Sequence, residues 1–128
     1  MALRLALIAA AALPLAACTA ETDREREISA PAVEIAGEPV NCIQTSRIQN
    51  SKVHDDYTID FEMAGDTAYR NTLPNRCAGL GFEERFAHSS TTGQLCNVDI
   101  ITVLDSNGTR GPSCGLGQFV PVRYVEAD

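Results

Sequence analysis

Basic residues are scarce in this chain of 128 residues: ten Lys and Arg stand against 17 Asp and Glu, for a formal charge of −7. Nucleic-acid binding needs a basic footprint to neutralise phosphates, so that class is excluded. The same deficit gives the surface no reason to adhere to anionic lipid. The apolar run from Leu5 to Leu13 has nine residues, well short of the roughly 20 that a spanning helix needs. Histidine is limited to His54 and His88, which leaves a His-built metal centre little to draw on. Cys42, Cys77, Cys96 and Cys114 are separated by 35, 19 and 18 residues, so the close C-x-x-C pairs of zinc sites are missing. No G-x-S-x-G occurs. Two stretches begin a G-x-G-x-x-G and fail at its last glycine, where Glu84 and Val120 stand, which removes the nucleotide-loop reading.

What is present begins with an address. Arg4 is the single charge ahead of the apolar run, which ends in Pro14-Leu15-Ala16-Ala17-Cys18. This looks like a lipoprotein signal peptide, residues 1–17, with a lipobox Leu-Ala-Ala-Cys. Small residues at 16 and 17 suit a narrow peptidase cleft, and the Cys18 thiol is the nucleophile that accepts the lipid, acyl chains of the palmitate kind included. The alternative is ordinary secretory cleavage with Cys18 left as a thiol. The expectation is a membrane-anchored lipoprotein on the periplasmic face. The outer membrane is favoured, because Thr19 is not the Asp that signals inner-membrane retention in some bacteria.

Cleavage would leave 111 residues with nine basic and 17 acidic side chains. It would also leave an even number of cysteines in an oxidising compartment, hence two disulfides. A domain this small buries a modest core and gains from such staples. Four cysteines allow three connectivities; Cys77–Cys96 and Cys42–Cys114 are favoured, the first closing a short loop and the second tying the domain's start to its last strand.

Residues 18–41 read as the lipidated cysteine and a flexible tether, with Asp23-Arg24-Glu25-Arg26-Glu27, Pro31, Gly37 and Pro39 and no aromatic. Such a segment reaches about 25 Å as a random coil. The folded part is residues 42–126, one disulfide-stabilised β domain. Tyr57, Ile59, Phe61 and Met63 alternate with Thr58, Asp60 and Glu62, as a strand with one buried face requires. Residues 64–67 make a turn, and residues 68–73 the partner strand that Pro74 and Asn75 stop. Phe82, Glu84, Phe86 and His88 share a face of a further strand. Residues 99–104 are apolar on both faces and so central; Asn107-Gly108 is a tight turn. A last strand runs from Leu116 to Val125, with Pro121 marking a bulge or an edge. No stretch has an apolar period of 3.6. The fold class expected is all-β: a small single-domain barrel or sandwich of five to six short, mostly antiparallel strands, disulfide-stapled. Cys77-Ala78-Gly79-Leu80-Gly81-Phe82 echoes Cys114-Gly115-Leu116-Gly117-Gln118-Phe119, which suggests two similar cysteine-anchored corners.

Several blocks together carry a resemblance. They are Ser46-Arg47-Ile48, residues Val53 to Ile59, Tyr69-Arg70-Asn71-Thr72-Leu73, Cys77-Ala78-Gly79-Leu80, Leu95-Cys96-Asn97-Val98-Asp99 and Cys114 to Phe119. The chain is similar to a family of small exported Gram-negative proteins, often lipoproteins, carrying a four-cysteine domain of unknown function. The likeness covers about residues 42–125. Members usually have a basic residue after the Asp-Asp pair, where this chain has Tyr57. The resemblance implies one exported four-cysteine domain and no activity.

Two clusters remain as candidate sites. His54, Asp55 and Asp56 are the densest set of potential metal ligands. Neighbours on a strand point to opposite faces, so only a turn would let them share an ion; the favoured alternative is a turn capped by Asp side chains. Arg47, Arg70, Arg76 and Arg85 would bind a carboxylate or phosphate if they converged; pairing with the local acids Asp60, Glu62 and Glu83 is favoured. Ser89 and Ser90 beside His88 do not make a triad by adjacency. No catalytic residue and no cofactor is assigned. The expected partners are the membrane, through the lipid, and an envelope protein or polymer. The function expected is a non-catalytic envelope binding or accessory module, the alternative a small metal-dependent or hydrolytic enzyme using His54, Asp55 and Asp56.

Overall fold

The computed structural model of the chain describes residues 30–90 and 92–125. The expected signal peptide, Cys18 and the first part of the tether lie outside the described residues. Among the described residues the chain forms β1 (Val33–Ile35), β2 (Cys42–Gln44), a 3-10 turn (Thr45–Arg47), β3 (Ile48–Val53), β4 (Thr58–Met63), β5 (Ala68–Thr72), α1 (Leu80–Glu83), β6 (Phe86–His88), β7 (Gln94–Cys96), β8 (Ile100–Leu104), β9 (Arg110–Gly115) and β10 (Phe119–Tyr124). They assemble three sheets, ordered β1-β10-β5-β4-β3, β6-β8-β9 and β2-β7. The pairs given a register are all antiparallel.

One core draws on all three sheets: Ile59, Phe61 and Met63 of β4, Ile101 and Val103 of β8, Ile43 of β2 and Leu95 of β7. Phe61 is its hinge point. Its ring meets Phe119 at 5.6 Å and Phe86 at 6.2 Å between centroids, both edge-on, so the large sheet and the β6-β8-β9 sheet lock through aromatic packing. The all-β architecture follows the alternation in the sequence, while the sheets stack without closing into a barrel. Strand number exceeds the expected five or six because β1, β2, β6 and β7 have three residues each, too few to display a period of two.

Several expectations are corrected. Residues 30–41 are not all tether: β1 pairs with β10, and Val40 bridges Phe119. The strand expected through Phe82 and Glu84 is a helical turn instead. Gly79 at φ +84 opens it and Glu84 at φ +55 closes it, and Phe82 is left 87% exposed; only Phe86–His88 remains extended. In β8, Ile101 and Val103 are buried but Ile100 is exposed, so this strand is central in its sheet with one face covered. β4, expected to have one buried face, has two, since Thr58 and Asp60 are buried as well. Pro121 lies inside β10 without disrupting β5. Its carbonyl accepts from Ala36 N–H at 2.8 Å, so the missing donor falls on the β1 side, where β1 has just ended.

The disulfides are Cys42–Cys96 and Cys77–Cys114, not the favoured Cys77–Cys96 and Cys42–Cys114. The cause is strand pairing. β2 against β7 sets Cys42 opposite Cys96, and β9 brings Cys114 opposite Ile101, a core residue shared with Cys77. The two echoing corners are therefore joined to each other. They differ in form: one is α1, the other the link from β9 to β10, with Leu80 and Leu116 both buried.

Candidate functional site

Strand pairing builds a polar cluster on the face of β4 turned away from Phe61. Asp60 of β4 lies directly across from Arg70 of β5 and from Lys52 of β3. Its carboxylate is fully buried. Oδ1 accepts from Arg70 Nε at 2.8 Å, and Oδ2 accepts from Arg70 Nη2 at 3.0 Å, making a bidentate pair. Oδ2 also accepts from His54 Nε2 at 2.8 Å and from the Tyr124 hydroxyl at 2.9 Å. Arg70 Nη2 further donates to the Pro31 carbonyl at 2.9 Å, which lays the chain before β1 over the cluster.

The electrostatics follow from this enclosure. Burial pushes the Asp60 carboxyl up; the bonds from Arg70, Tyr124 and His54 outweigh it and hold the group below the ordinary carboxylate range. The Asp60 carboxylate raises Arg70 in turn. Burial, then the bond to Asp60, pushes the Tyr124 phenol up. Asp60 is thus an ionised, four-bonded acceptor with its lone pairs engaged.

The His54-Asp55-Asp56 turn between β3 and β4 does not converge on one point. His54 reaches back to Asp60. Asp55 Oδ1 caps its own turn, accepting from Tyr57 N–H at 2.7 Å, and its buried Oδ2 has no hydrogen-bond partner. Asp56 faces the other way, accepting from Gly81 N–H at 2.8 Å and Arg76 Nε at 2.9 Å. The Asp56 carbonyl also takes Cys77 N–H at 2.9 Å. Gly81 is needed at this contact, because a Cβ there would meet Asp55 backbone at 3.0 Å. His88 is exposed at the end of β6, its ring 6.3 Å from that of Phe86, and among the described residues no hydrogen bond joins it to His54. Among the described residues no group of three His, Cys, Asp or Glu is placed to hold a metal ion. His54, Asp55 and Asp56 do not converge as a metal site would require; the β3–β4 turn has the favoured form, capped by an Asp side chain, and it is a structural knuckle bonded to α1.

The four arginines do not share a face either. Arg70 takes Asp60 and Arg76 takes Asp56, Arg85 donates to the Ser106 carbonyl at 3.4 Å, and Glu62 takes Lys52. Arg47 lines a cleft with Cys42, Ile43, Gln44, Met63, Ala64, Thr67 and Tyr69. A second, shallower groove runs between β3 and β6, lined by Gln49, Ser51, Arg85, Phe86 and His88. Sequence reading missed Tyr124 as a partner of Asp60. The available signal was Asp60 flanked by strand residues opposite Arg70 in a hairpin; nothing local points to Tyr124, which is 64 residues away.

A family model described as "Family of unknown function (DUF6491)" matches residues 1–127. The chain belongs to that family. No curated protein matches it, and no solved structure does.

Proposed function

We propose that the protein is a lipid-anchored envelope module that binds a protein or a polymer and performs no chemistry of its own. The observation that carries this reading is where its ionisable side chains go. Asp60, Arg70, His54 and Tyr124 serve one another, Asp56 and Arg76 pin α1, and the Arg47 cleft and the β3–β6 groove stay open at the surface. A scaffold stiffened by two disulfides presents such recesses with little ordering cost. Apolar side chains at the surface, Phe82 and Val98, add contact area. The lipobox Leu15-Ala16-Ala17-Cys18 supports the anchor, with the outer membrane favoured.

Two experiments test this. Cys18→Ala is expected to abolish membrane fractionation and to change the mass of the mature protein; an unchanged variant refutes the anchor. Crosslinking of the lipidated protein in its native envelope, followed by mass spectrometry, is expected to capture a reproducible partner. No partner, together with no binding of the purified protein to peptidoglycan or lipopolysaccharide, refutes the binding role.

A further inference from the structure

We propose that the cleft around Arg47 is a binding site for an organic carboxylate with a compact, partly apolar body. The inference rests on the binding-module reading and names the ligand chemistry of one of its recesses. The cleft has a volume of about 310 Å³, at the lower end of the range that holds small ligands. Its floor is apolar, with Ile43 and Met63 buried. Its rim carries Arg47, Gln44, Thr67 and Tyr69.

Three features set Arg47 apart. The residues that line the cleft include no Asp or Glu, although the chain as a whole is strongly acidic. Arg47 has no ion-pair partner among the described residues, whereas Lys52, Arg70 and Arg76 each have one. The Tyr69 hydroxyl likewise has no hydrogen-bond partner among the described residues. A guanidinium fork with an amide and two hydroxyls around it offers donors suited to a planar carboxylate, which Arg takes bidentately. One cation above an apolar floor favours a single-charged organic acid over inorganic phosphate, which would draw on several basic groups.

The walls are held in place before any ligand arrives. The Arg47 carbonyl accepts from Ala64 N–H at 2.9 Å, which ties the 3-10 turn to the tip of the β4–β5 hairpin. Thr45 donates to the Gly93 carbonyl from its backbone at 3.0 Å and from its hydroxyl at 2.9 Å. The Cys42–Cys96 disulfide closes the remaining side. Fixed walls reduce the ordering cost of binding. Asp66, at the same hairpin tip beside Thr67, is not among the lining residues, and its charge opposes a bound anion.

The carboxylate has two possible sources, a free small acid or the terminal carboxylate of a peptide. The test titrates the full-length, isotope-labelled protein in detergent with N-acetyl-alanyl-alanine, with its C-terminal amide, and with acetate, following backbone amide shifts by NMR. The expected result is saturable binding of the acid dipeptide with shifts at Gln44, Ala64 and Thr67. The amide should bind at least tenfold more weakly, and R47Q should weaken the acid at least tenfold while its spectrum stays folded. R47K should retain part of the affinity, and D66N should raise it. Acetate binding as well as the dipeptide assigns the site to free small acids; dipeptide alone assigns it to chain ends. Equal binding of acid and amide, an unchanged affinity in R47Q, or no saturation in the millimolar range overturns the proposal. If R47Q still captures its envelope partner by crosslinking while these titrations fail, the cleft is refuted and the binding module stands.

Discussion

Asp60→Asn removes one charge and replaces one acceptor oxygen by a donor at a position with no solvent exposure. The carboxylate accepts four bonds: two from Arg70 and one each from His54 and Tyr124. In one amide orientation Arg70 Nε keeps its acceptor, but the new NH₂ faces three donors. In the other, Arg70 Nε loses its acceptor. Either way the guanidinium, with 15% of its side chain exposed, loses its counter-charge. Breaking a buried pair from one side costs about 3–5 kcal/mol. With a urea m-value of about 2 kcal/mol per molar for a domain of this size, the unfolding midpoint should fall by about 2 M. The assay is urea unfolding of the oxidised protein at neutral pH, followed by far-UV circular dichroism. Acid gives an internal control. The folded Asp60 carboxyl is held below its unfolded value of 3.8, so its ionised pairing contributes fully above that value and is lost as pH falls from there through the lowered folded value. The gap between wild type and Asp60→Asn should therefore narrow as pH drops below 3.8. A midpoint shift under about 0.5 M at neutral pH, or a gap that ignores pH, refutes the reasoning.

Asn71 bonds both the N–H and the C=O of Gly117, at 2.8 and 2.7 Å, from a fully buried position. Asn71→Ala strands both groups and should cost about 2–4 kcal/mol, read as a thermal midpoint lowered by at least ~10 °C. Gly117→Ala should be as damaging, since its Cβ would collide with the Thr72 carbonyl oxygen. Non-reducing peptide mapping should recover Cys42 linked to Cys96 and Cys77 to Cys114; removing either pair by Ser substitution should cost about 4 kcal/mol on chain-entropy grounds. Lys52→Ala breaks an exposed pair with Glu62 and should leave the urea midpoint unchanged, because solvent screens such pairs.

Local chemistry in the sequence was enough for the fold class, for the β4 alternation and for the turns that end its strands. Gly65 and Gly108 adopt φ of +92 and +77 in turns read directly from the chain, since positive φ is a property of the residue itself. Apolar alternation at Ile59, Phe61 and Met63 is likewise written residue by residue. The three-residue strands escaped because they are shorter than the period needed to show them. Cysteine pairing escaped because the two bonds span 54 and 37 residues of sequence, and only the partnering of β2 with β7 brings Cys42 to Cys96. The site was divided in the same way. Asp60 and Arg70 belong to one hairpin, and their neighbourhood is a local fact of register. That Asp60 is buried depends on His54, on Tyr124 arriving with β10 and on the Pro31 segment laid across it. The turn at His54, Asp55 and Asp56 presented three potential ligands in a row, and backbone direction sent each of them to different partners. Composition and alternation are set residue by residue; which polar groups are enclosed, and which cleft is left with an unpaired arginine, is decided when distant strands pair.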